Sequence, residues 1–394
     1  MPTALERCTG TDPDTFAAEH WSRTPLLARA KQLPRDFLDL LSEADVDELV
    51  ADRALRTPFF RTVSEGSGLP APVRTVTAGN RRIGDLVDVD ALVAQRTAGA
   101  TLVLNALHRM HPPVARFCRR LAAELGHATQ CNAYLTPGGQ HQGFDFHHDT
   151  HDVFVLQVSG RKRWIVHEPV LRLPLPSQPQ AGAHLVAGGA EPLLDVELEA
   201  GDALYLPRGY VHAALTTDDD SVHLTIGVLS TTRHDVLSDA LTLLGDDERF
   251  RDALPIAPRN HLSVLPELLR EAADALAGLP IDELDTLVDA RLARAVPVEP
   301  LPLLAVTACA RTLTGKTALR PRAGLDVAVE TEADLLRVVV PGKTLELPSF
   351  TEPAVRRALA GPTTAAELGV GGLDDEGALV LARRLVREGV LVPV

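Results

Sequence analysis

The sequence predicts an α+β chain whose core is a double-stranded β-helix, or jelly roll, followed by a helical segment and a C-terminal winged helix. Three observations predict it. From Ala128 to about Ser230, short runs dense in Val, Leu, Ile, Phe, Tyr and Trp alternate with Gly and Pro turns, as antiparallel strands closing a sandwich or barrel do. From about Thr232 the apolar residues recur at helical spacing. The final segment mixes strand-like runs with short helical ones. At 394 residues the chain exceeds one typical core, and the expected division is 1–232 for the β-barrel domain with N-terminal helical additions, 233–298 for the helical segment and 299–394 for the winged helix.

Taken in order, the residues before Ala128 combine short helical patterns with strand-like pieces. Pro112-Pro113 opens a helix over about 114–125, with Phe117, Leu121 and Leu125 on one face. After the β-rich stretch, apolar stripes recur over 236–244, 265–276 and 284–292. Three consecutive stripes exceed what one barrel flank needs, so a homodimer through this segment is expected. Pro297, Pro300 and Pro302 end it. Strand-like runs follow over 325–330 and 335–340, then helices near 352–360, 364–368 and 374–388. The longest carries Arg383, Arg384 and Arg387 against Asp374, Asp375, Glu376 and Glu388, a poor footprint for DNA and a better one for packing or partner docking.

Composition excludes several classes. The formal charge of −14 argues against a sequence-independent grip on nucleic acid and favours a basic partner, such as an Arg/Lys-rich peptide. The four cysteines, Cys8, Cys118, Cys131 and Cys309, are scattered with no C-x-x-C pair, so neither a disulfide framework nor a zinc cluster is expected. No basic-then-apolar leader and no membrane-length apolar run are visible, and the cytoplasm is the expected compartment.

The chemistry concentrates in Gly143-Phe144-Asp145-Phe146-His147-His148-Asp149. On a strand His147 and Asp149 share a face and His148 takes the other. One imidazole and one carboxylate are two-thirds of a facial metal triad. The third ligand is sought in Pro207-Arg208-Gly209-Tyr210-Val211-His212, where a turn sets His212 near the start of a strand. Such a 2-His-1-carboxylate set leaves open positions on the metal, the arrangement of non-haem Fe(II) oxygenases. His223 competes with His212, but lies inside a regular strand. His148, His151 and His223 are otherwise surface, core or substrate-contact residues.

In Gly160-Arg161-Lys162-Arg163-Trp164-Ile165-Val166, Lys162 shares a face with Trp164 and Val166. An ammonium facing a barrel interior is costly unless an anion meets it. That anion is either an internal Asp or Glu or the distal carboxylate of 2-oxoglutarate, unless a different register puts Lys162 on the solvent face. Asn132 and Tyr134, two apart on the preceding strand, either donate to the same carboxylate or are satisfied polar residues of the wall.

The ordered string Asn132-Ala133-Tyr134-Leu135-Thr136-Pro137, Gly143-Phe144, His147-His148-Asp149, Asp152-Val153-Phe154, Gly160-Arg161-Lys162-Arg163-Trp164 and Pro207-Arg208-Gly209-Tyr210-Val211-His212 resembles the JmjC-type ribosomal oxygenases, cupin-like Fe(II)/2-oxoglutarate hydroxylases of an arginine or histidine in ribosomal proteins. Trp21-Ser22-Arg23-Thr24-Pro25-Leu26-Leu27 resembles their N-terminal W-x-x-x-P-L-L, and the helical segment and winged helix follow in the family's order. The resemblance implies His147, Asp149 and His212 as iron ligands, and Lys162 with Asn132 and Tyr134 as the 2-oxoglutarate site. It also implies a homodimer and release of succinate and CO2. Two departures, the glycine-rich Pro137–Gln142 link and Asp145-Phe146, lie beside the substrate mouth. Three functions compete. One is hydroxylation of a ribosomal or other basic protein, another the same chemistry on a small peptide or biosynthetic metabolite, and the third a non-enzymatic metal-binding cupin. Asp145, Asp152 and Asp218-Asp219-Asp220 near the presumed mouth favour a basic substrate, although the last run also suits a solvated hairpin turn.

Overall fold

The computed structural model describes residues 2–178, 189–254 and 261–394; residues 255–260, inside the expected helical segment, lie outside the described residues. The chain divides into two compact units, Met1–Thr231 and Thr232–Val394.

In the first unit, α1 (Ala4–Thr9) and α2 (Pro13–Glu19) lead into β1 (Leu26–Ala28). Then come α3 (Glu43–Ala51), β2 (Phe60–Ser64), β3 (Ser67–Gly68), the hairpin β4 (Val73–Ala78) and β5 (Arg81–Val87), and α4 (Val89–Thr97). β6 (Thr101–Leu104), α5 (Leu107–Met110) and α6 (Pro112–Leu125) precede the β-rich stretch. That stretch holds β7 (Ala128–Thr136), β8 (Asp152–Ser159), β9 (Arg161–His167), β10 (Leu194–Glu199), β11 (Ala203–Leu206), β12 (Val211–Thr216) and β13 (Ser221–Leu229). The large sheet runs β1-β11-β8-β13-β7-β6-β2-β3 and the small one β10-β9-β12. Every strand pair in them is antiparallel, as the sequence predicts for a jelly roll.

The apolar run of β8 has no polar alternation because both of its faces are covered. Phe154 and Leu156 join the core under the N-terminal helices, whereas Val153 and Val155 join Trp164 and Val166 of β9 inside the barrel. α6 turns Val114, Phe117, Cys118 and Leu121 into the first of these cores, and its helical spacing had made that face readable. β1 explains the Trp21–Leu27 motif. Leu26 and Leu27 pair with Tyr205 and Leu204 at the sheet edge, Trp21 stacks on His127 at 5.5 Å, and the Tyr205 hydroxyl receives the Ser22 amide at 2.9 Å.

The H-x-D segment corrects one expectation. His147–Asp149 lies on no regular strand. It runs along β12 through isolated antiparallel bridges, Gln142 to Leu215 and His147 to His212, so it edges the small sheet as a broken fourth strand. The glycine-rich insertion and the turn at Asp145 cost the ladder but preserve the one bridge that counts.

In the second unit the stripes form helices Arg233–Leu243, His261–Ala277 and Ile281–Ala295. The helix Leu303–Thr312 follows. Strands Ala328–Glu332, Leu335–Val340 and Lys343–Pro348 make a meander whose third strand the sequence reading missed. Helices Glu352–Leu359 and Asp375–Arg387 flank a short 3-10 turn, Ala366–Leu368, where a helix was expected. Among the described residues no helix is long and apolar enough to cross a membrane. All four cysteines are buried and unbridged.

One buried ion pair ties the barrel. Asp152, fully buried at the start of β8, takes the Arg208 guanidinium at 3.2 Å, the Tyr205 hydroxyl at 2.9 Å and the Ser230 hydroxyl at 3.0 Å. Removing one partner strands a charge in a low-dielectric interior, which typically costs about 3–5 kcal/mol. Arg208→Met is expected to lose stability on this scale in denaturant unfolding, and the double variant Asp152→Asn/Arg208→Met to recover part of it. Additive losses would show that the pair is not coupled.

Candidate metal centre

His147, Asp149 and His212 converge: one ligand atom from each lies within 4.8 Å of the others. The bridge that brings the two histidines together is a reciprocal backbone pair. The His147 amide donates to the His212 carbonyl at 3.1 Å, and the His212 amide to the His147 carbonyl at 2.8 Å. Asp149 is held by its own carbonyl, which receives the Gly209 amide at 3.0 Å. Gly209 has φ 94°, and a β-carbon there would overlap the Leu171 carbonyl, so only glycine suits this turn.

Both imidazoles are fixed in tautomer. Nδ1 of His147 lies 2.7 Å from the Asp145 carbonyl and Nδ1 of His212 lies 3.0 Å from the Tyr210 carbonyl. A carbonyl only accepts, so each Nδ1 carries the proton and each Nε2 lone pair is left free. Burial, then His147, pushes His212 down to about 4 against the opposing pull of Asp149, keeping its ring neutral. The His212 Nε2 stands 3.8 Å from an Asp149 oxygen. Among the described residues the Asp149 carboxylate has no hydrogen-bond donor. Two lone pairs and one carboxylate facing a common point fit a divalent cation that accepts N and O donors.

The triad sits in a cavity of about 340 Å³ between the two sheets, lined also by Tyr134, Lys162, Trp164 and His223. Register puts them there. Lys162 pairs with Thr216, Trp164 with Ala214 and Val166 with His212, and directly opposed residues share a face. Gly160 (φ 64°) makes the β8–β9 turn, where a β-carbon would overlap the Asp220 carbonyl. Lys162 is 3% exposed. Its ammonium donates to the Thr136 hydroxyl at 2.9 Å, and among the described residues no carboxylate lies within ion-pairing reach. The internal Asp or Glu left open by the sequence is therefore absent there. Burial pushes Lys162 down to about 7, because no anion in the cavity stabilises its charged form.

The remaining candidates separate. His223 is buried outside the triad and stacks on Tyr134 at 4.9 Å and 4°; burial, then Lys162, holds it well below the usual imidazole range. Tyr134 lines the cavity. Burial and Asp149 raise its hydroxyl, while Arg61 and Asn132 oppose the rise. Asn132 shares the cavity face of β7 but does not line the cavity: its amide oxygen receives the Ala106 amide at 2.9 Å. Asn132 thus supports Tyr134 instead of facing the cavity itself. His148 is fully buried with both ring nitrogens unpaired, and His151 lies against Gly227 away from the triad. The sequence reading missed Arg61, Thr101 and Thr225 in the lining, because only the long-range pairing of β2, β6 and β13 within the large sheet turns them inward.

Several of the acidic residues expected at the mouth are committed elsewhere. Asp152 is spent on Arg208. Asp145 packs against the β2–β3 turn, where a β-carbon on Gly66 would collide with its carboxylate. Asp220 caps the Gly138 amide and pairs with Arg96, and Asp219 lies 3.6 Å from Arg161.

Comparison with known proteins agrees with this geometry. The JmjC domain profile matches residues 104–236. Ribosomal oxygenase 1 of Gallus gallus is 33% identical over 264 residues, 64% of this chain and 42% of the relative. The bifunctional lysine-specific demethylase and histidyl-hydroxylase NO66 of Drosophila mojavensis is 29% identical over 253 residues, 64% of this chain and 26% of the relative. The chain thus spans less than half the length of these curated relatives. Among solved structures, Escherichia coli ribosomal oxygenase YcfD covers 98% of this chain and is itself 98% covered, with a TM-score of 0.55 and 18% identity, a likeness of fold. A YcfD structure in complex with cobalt and 2-oxoglutarate covers 97% of this chain and is 98% covered, at TM-score 0.55 and 20% identity. By profile, relatives and fold, the chain carries a JmjC-type domain over residues 104–236 and is similar to the ribosomal oxygenases.

Proposed function

We propose that this protein is an Fe(II)- and 2-oxoglutarate-dependent oxygenase that hydroxylates a histidine or arginine side chain of a ribosomal or other basic protein. The observation that carries the reading is the conjunction, in one cavity, of the His147/Asp149/His212 donor set with the unpaired, buried Lys162 ammonium. A structural metal site needs no such cation, and a metal-binding cupin without a co-substrate has no reason to retain one at this cost. The relatives' names, and the YcfD complex with cobalt and 2-oxoglutarate, support the same assignment.

His147, Asp149 and His212 would hold iron through Nε2, a carboxylate oxygen and Nε2, leaving the opposite face to co-substrate and oxygen. When bound, iron with 2-oxoglutarate and dioxygen supplies the oxidant that inserts oxygen into a C–H bond, releasing succinate and CO2. Lys162 would bind the distal carboxylate with Tyr134 alongside, and Thr136 aims the ammonium. Asn132 acts through Tyr134. Val153, Val155 and Trp164 keep water out of this space.

The same reading makes the protein a cytoplasmic homodimer. Leu237, Leu241, Leu269 and Ile281 are each more than half exposed on the helices 233–298, apolar area that a second copy would cover. The part over 299–394 is read as a winged-helix-like module for packing or partner docking, with no direct DNA contact.

Three outcomes are expected. His147→Ala, Asp149→Ala and His212→Ala each abolish iron retention and succinate release, whereas His223→Ala retains iron; the opposite pattern for His212 and His223 reassigns the distal ligand. The intact mass of one ribosomal protein should gain a single oxygen atom in cells with the gene and not in cells with only the His147→Ala form. A metabolite modified in its stead would keep the chemistry and move the substrate. In sedimentation, the wild type should weigh twice the chain and Leu237→Asp/Leu241→Asp once. A wild-type monomer at all concentrations would remove the dimer.

Lys162 gives a pH signature. The folded value of about 7 lies below the ordinary lysine value of 10.5, so the unfolded chain binds more protons between them and stability of the ligand-free protein rises with pH across that window. Lys162→Met should therefore be more stable than wild type below about pH 7. A bound dianion favours the charged form, so 2-oxoglutarate affinity should be flat below about pH 7 and fall above it, with proton uptake in calorimetry. Lys162→Met should lose the uptake and bind roughly 100-fold more weakly or worse. Unchanged affinity would mean that Lys162 does not face the co-substrate.

A further inference from the structure

Arg61 is the second cation of the cavity, and nothing described so far uses it. It lies on β2, lines the same space as His147, Asp149 and Lys162, and is exposed toward the mouth where Lys162 is buried. Its guanidinium sits over the Phe144 ring at 5.2 Å. Phe144 in turn packs edge-on to Tyr134 at 6.0 Å and against His147 at 5.8 Å. The guanidinium also faces the Tyr134 hydroxyl. Among the described residues Arg61 forms no ion pair, in contrast to Arg56, Arg96, Arg161 and Arg163 on the surface of the same unit. An arginine pinned by an aromatic face and left without an acid is pre-oriented to donate to something that arrives.

Charge balance says what that is. In the loaded site the doubly positive iron, the Asp149 carboxylate, Lys162 and the doubly negative keto acid cancel. Arg61 then adds a charge at the reacting centre that no ion pair among the described residues neutralises, since Asp152, Asp219 and Asp220 are each paired elsewhere and Asp145 lies against the β2–β3 turn. A cationic side chain entering here meets repulsion in a medium of low effective dielectric, whereas a neutral acceptor or a carboxylate gains a charge-assisted hydrogen bond.

We infer that Arg61 is a specificity-determining residue, a charge filter at the mouth that admits a neutral or anionic hydrogen-bond-accepting side chain to the reacting position and rejects guanidinium and ammonium groups. This rests on the oxygenase reading above, and narrows its choice of target residue. The overall acidity of the chain then acts on flanking segments of a basic substrate, not on the side chain that is hydroxylated.

The test uses full-length protein loaded with Mn(II), an oxygen-inert substitute for iron, and 2-oxoglutarate. Two peptide pools share equimolar mixed flanks and differ in a central His or Arg, and retention is quantified by mass spectrometry. Wild type should retain the His-centred pool roughly tenfold over the Arg-centred pool, a ratio on the scale of one unit-charge interaction at the surface of a protein. Arg61→Gln should bring the ratio close to unity and Arg61→Glu should reverse it, with the thermal midpoint and metal content of both variants unchanged. A ratio insensitive to both substitutions, equal retention of the two pools by wild type, or wild-type preference for arginine would each overturn the inference. So would a large loss of 2-oxoglutarate binding in Arg61→Gln, which would make Arg61 a co-substrate ligand. Failure of wild type to bind metal and 2-oxoglutarate at all would sink the oxygenase reading itself, a result read from the same sample before any peptide is added.

Discussion

Asp152 organises the barrel because a carboxylate with no solvent exposure must be satisfied from every side. Its oxygens draw in the Arg208 guanidinium, the Tyr205 hydroxyl, the Ser230 hydroxyl and, at 3.4 Å, the Ser22 hydroxyl. These come from the N-terminal segment, β11, the turn before β12 and the end of β13, sequence-distant parts meeting at one charge. The consequence for the metal centre is direct. Arg208 adjoins Gly209, whose amide fixes the Asp149 carbonyl, and the same turn delivers His212 into its bridge with His147. The structural ion pair and the donor set are therefore two ends of one short stretch of backbone. Displacing the first moves the second.

The interior is thus built from charges treated in opposite ways. Asp152 is completely paired and serves geometry. Lys162 is left with a hydroxyl partner alone, and burial brings its titration near neutrality. Such a residue destabilises the free protein, and the cost is offset only when an anion arrives. His212 and His223 are held neutral by burial, so the cavity presents lone pairs and a few defined charges in place of a diffuse positive field.

Much of this was legible in the sequence because it rests on periodicity. The inward face of β9, with Lys162, Trp164 and Val166, follows from period two and holds in the burial pattern of the strand. The helical stripes and α6 follow from the 3.6 period in the same way. His147 and Asp149 do converge with His212, though not for the reason the sequence suggested. They share no regular strand, and a single reciprocal bridge to His212 does what a ladder was expected to do. Asn132 shows that face alone does not fix what a side chain meets: it lies on the cavity side of β7, and its amide oxygen is taken by the Ala106 amide. Arg61 had no local signal at all. Its place depends on β2 joining the large sheet next to β6, a long-range pairing that no window of sequence reveals.

The acidic residues carry the larger lesson about reading function from charge. A net charge of −14 is a property of the whole chain, and it made Asp145, Asp152 and the Asp218-Asp219-Asp220 run look like a mouth built for cations. Asp152, Asp219 and Asp220 are each engaged locally, by a buried arginine or a surface pair. Long-range attraction from net charge decays within about 8–10 Å of screening solution, whereas the reacting side chain is judged within a few ångströms by whatever remains unpaired. At that distance Arg61 is the cavity-lining arginine without an ion pair among the described residues. An acidic protein can therefore draw a basic partner to its surface and still present a cationic rim to the one residue it modifies.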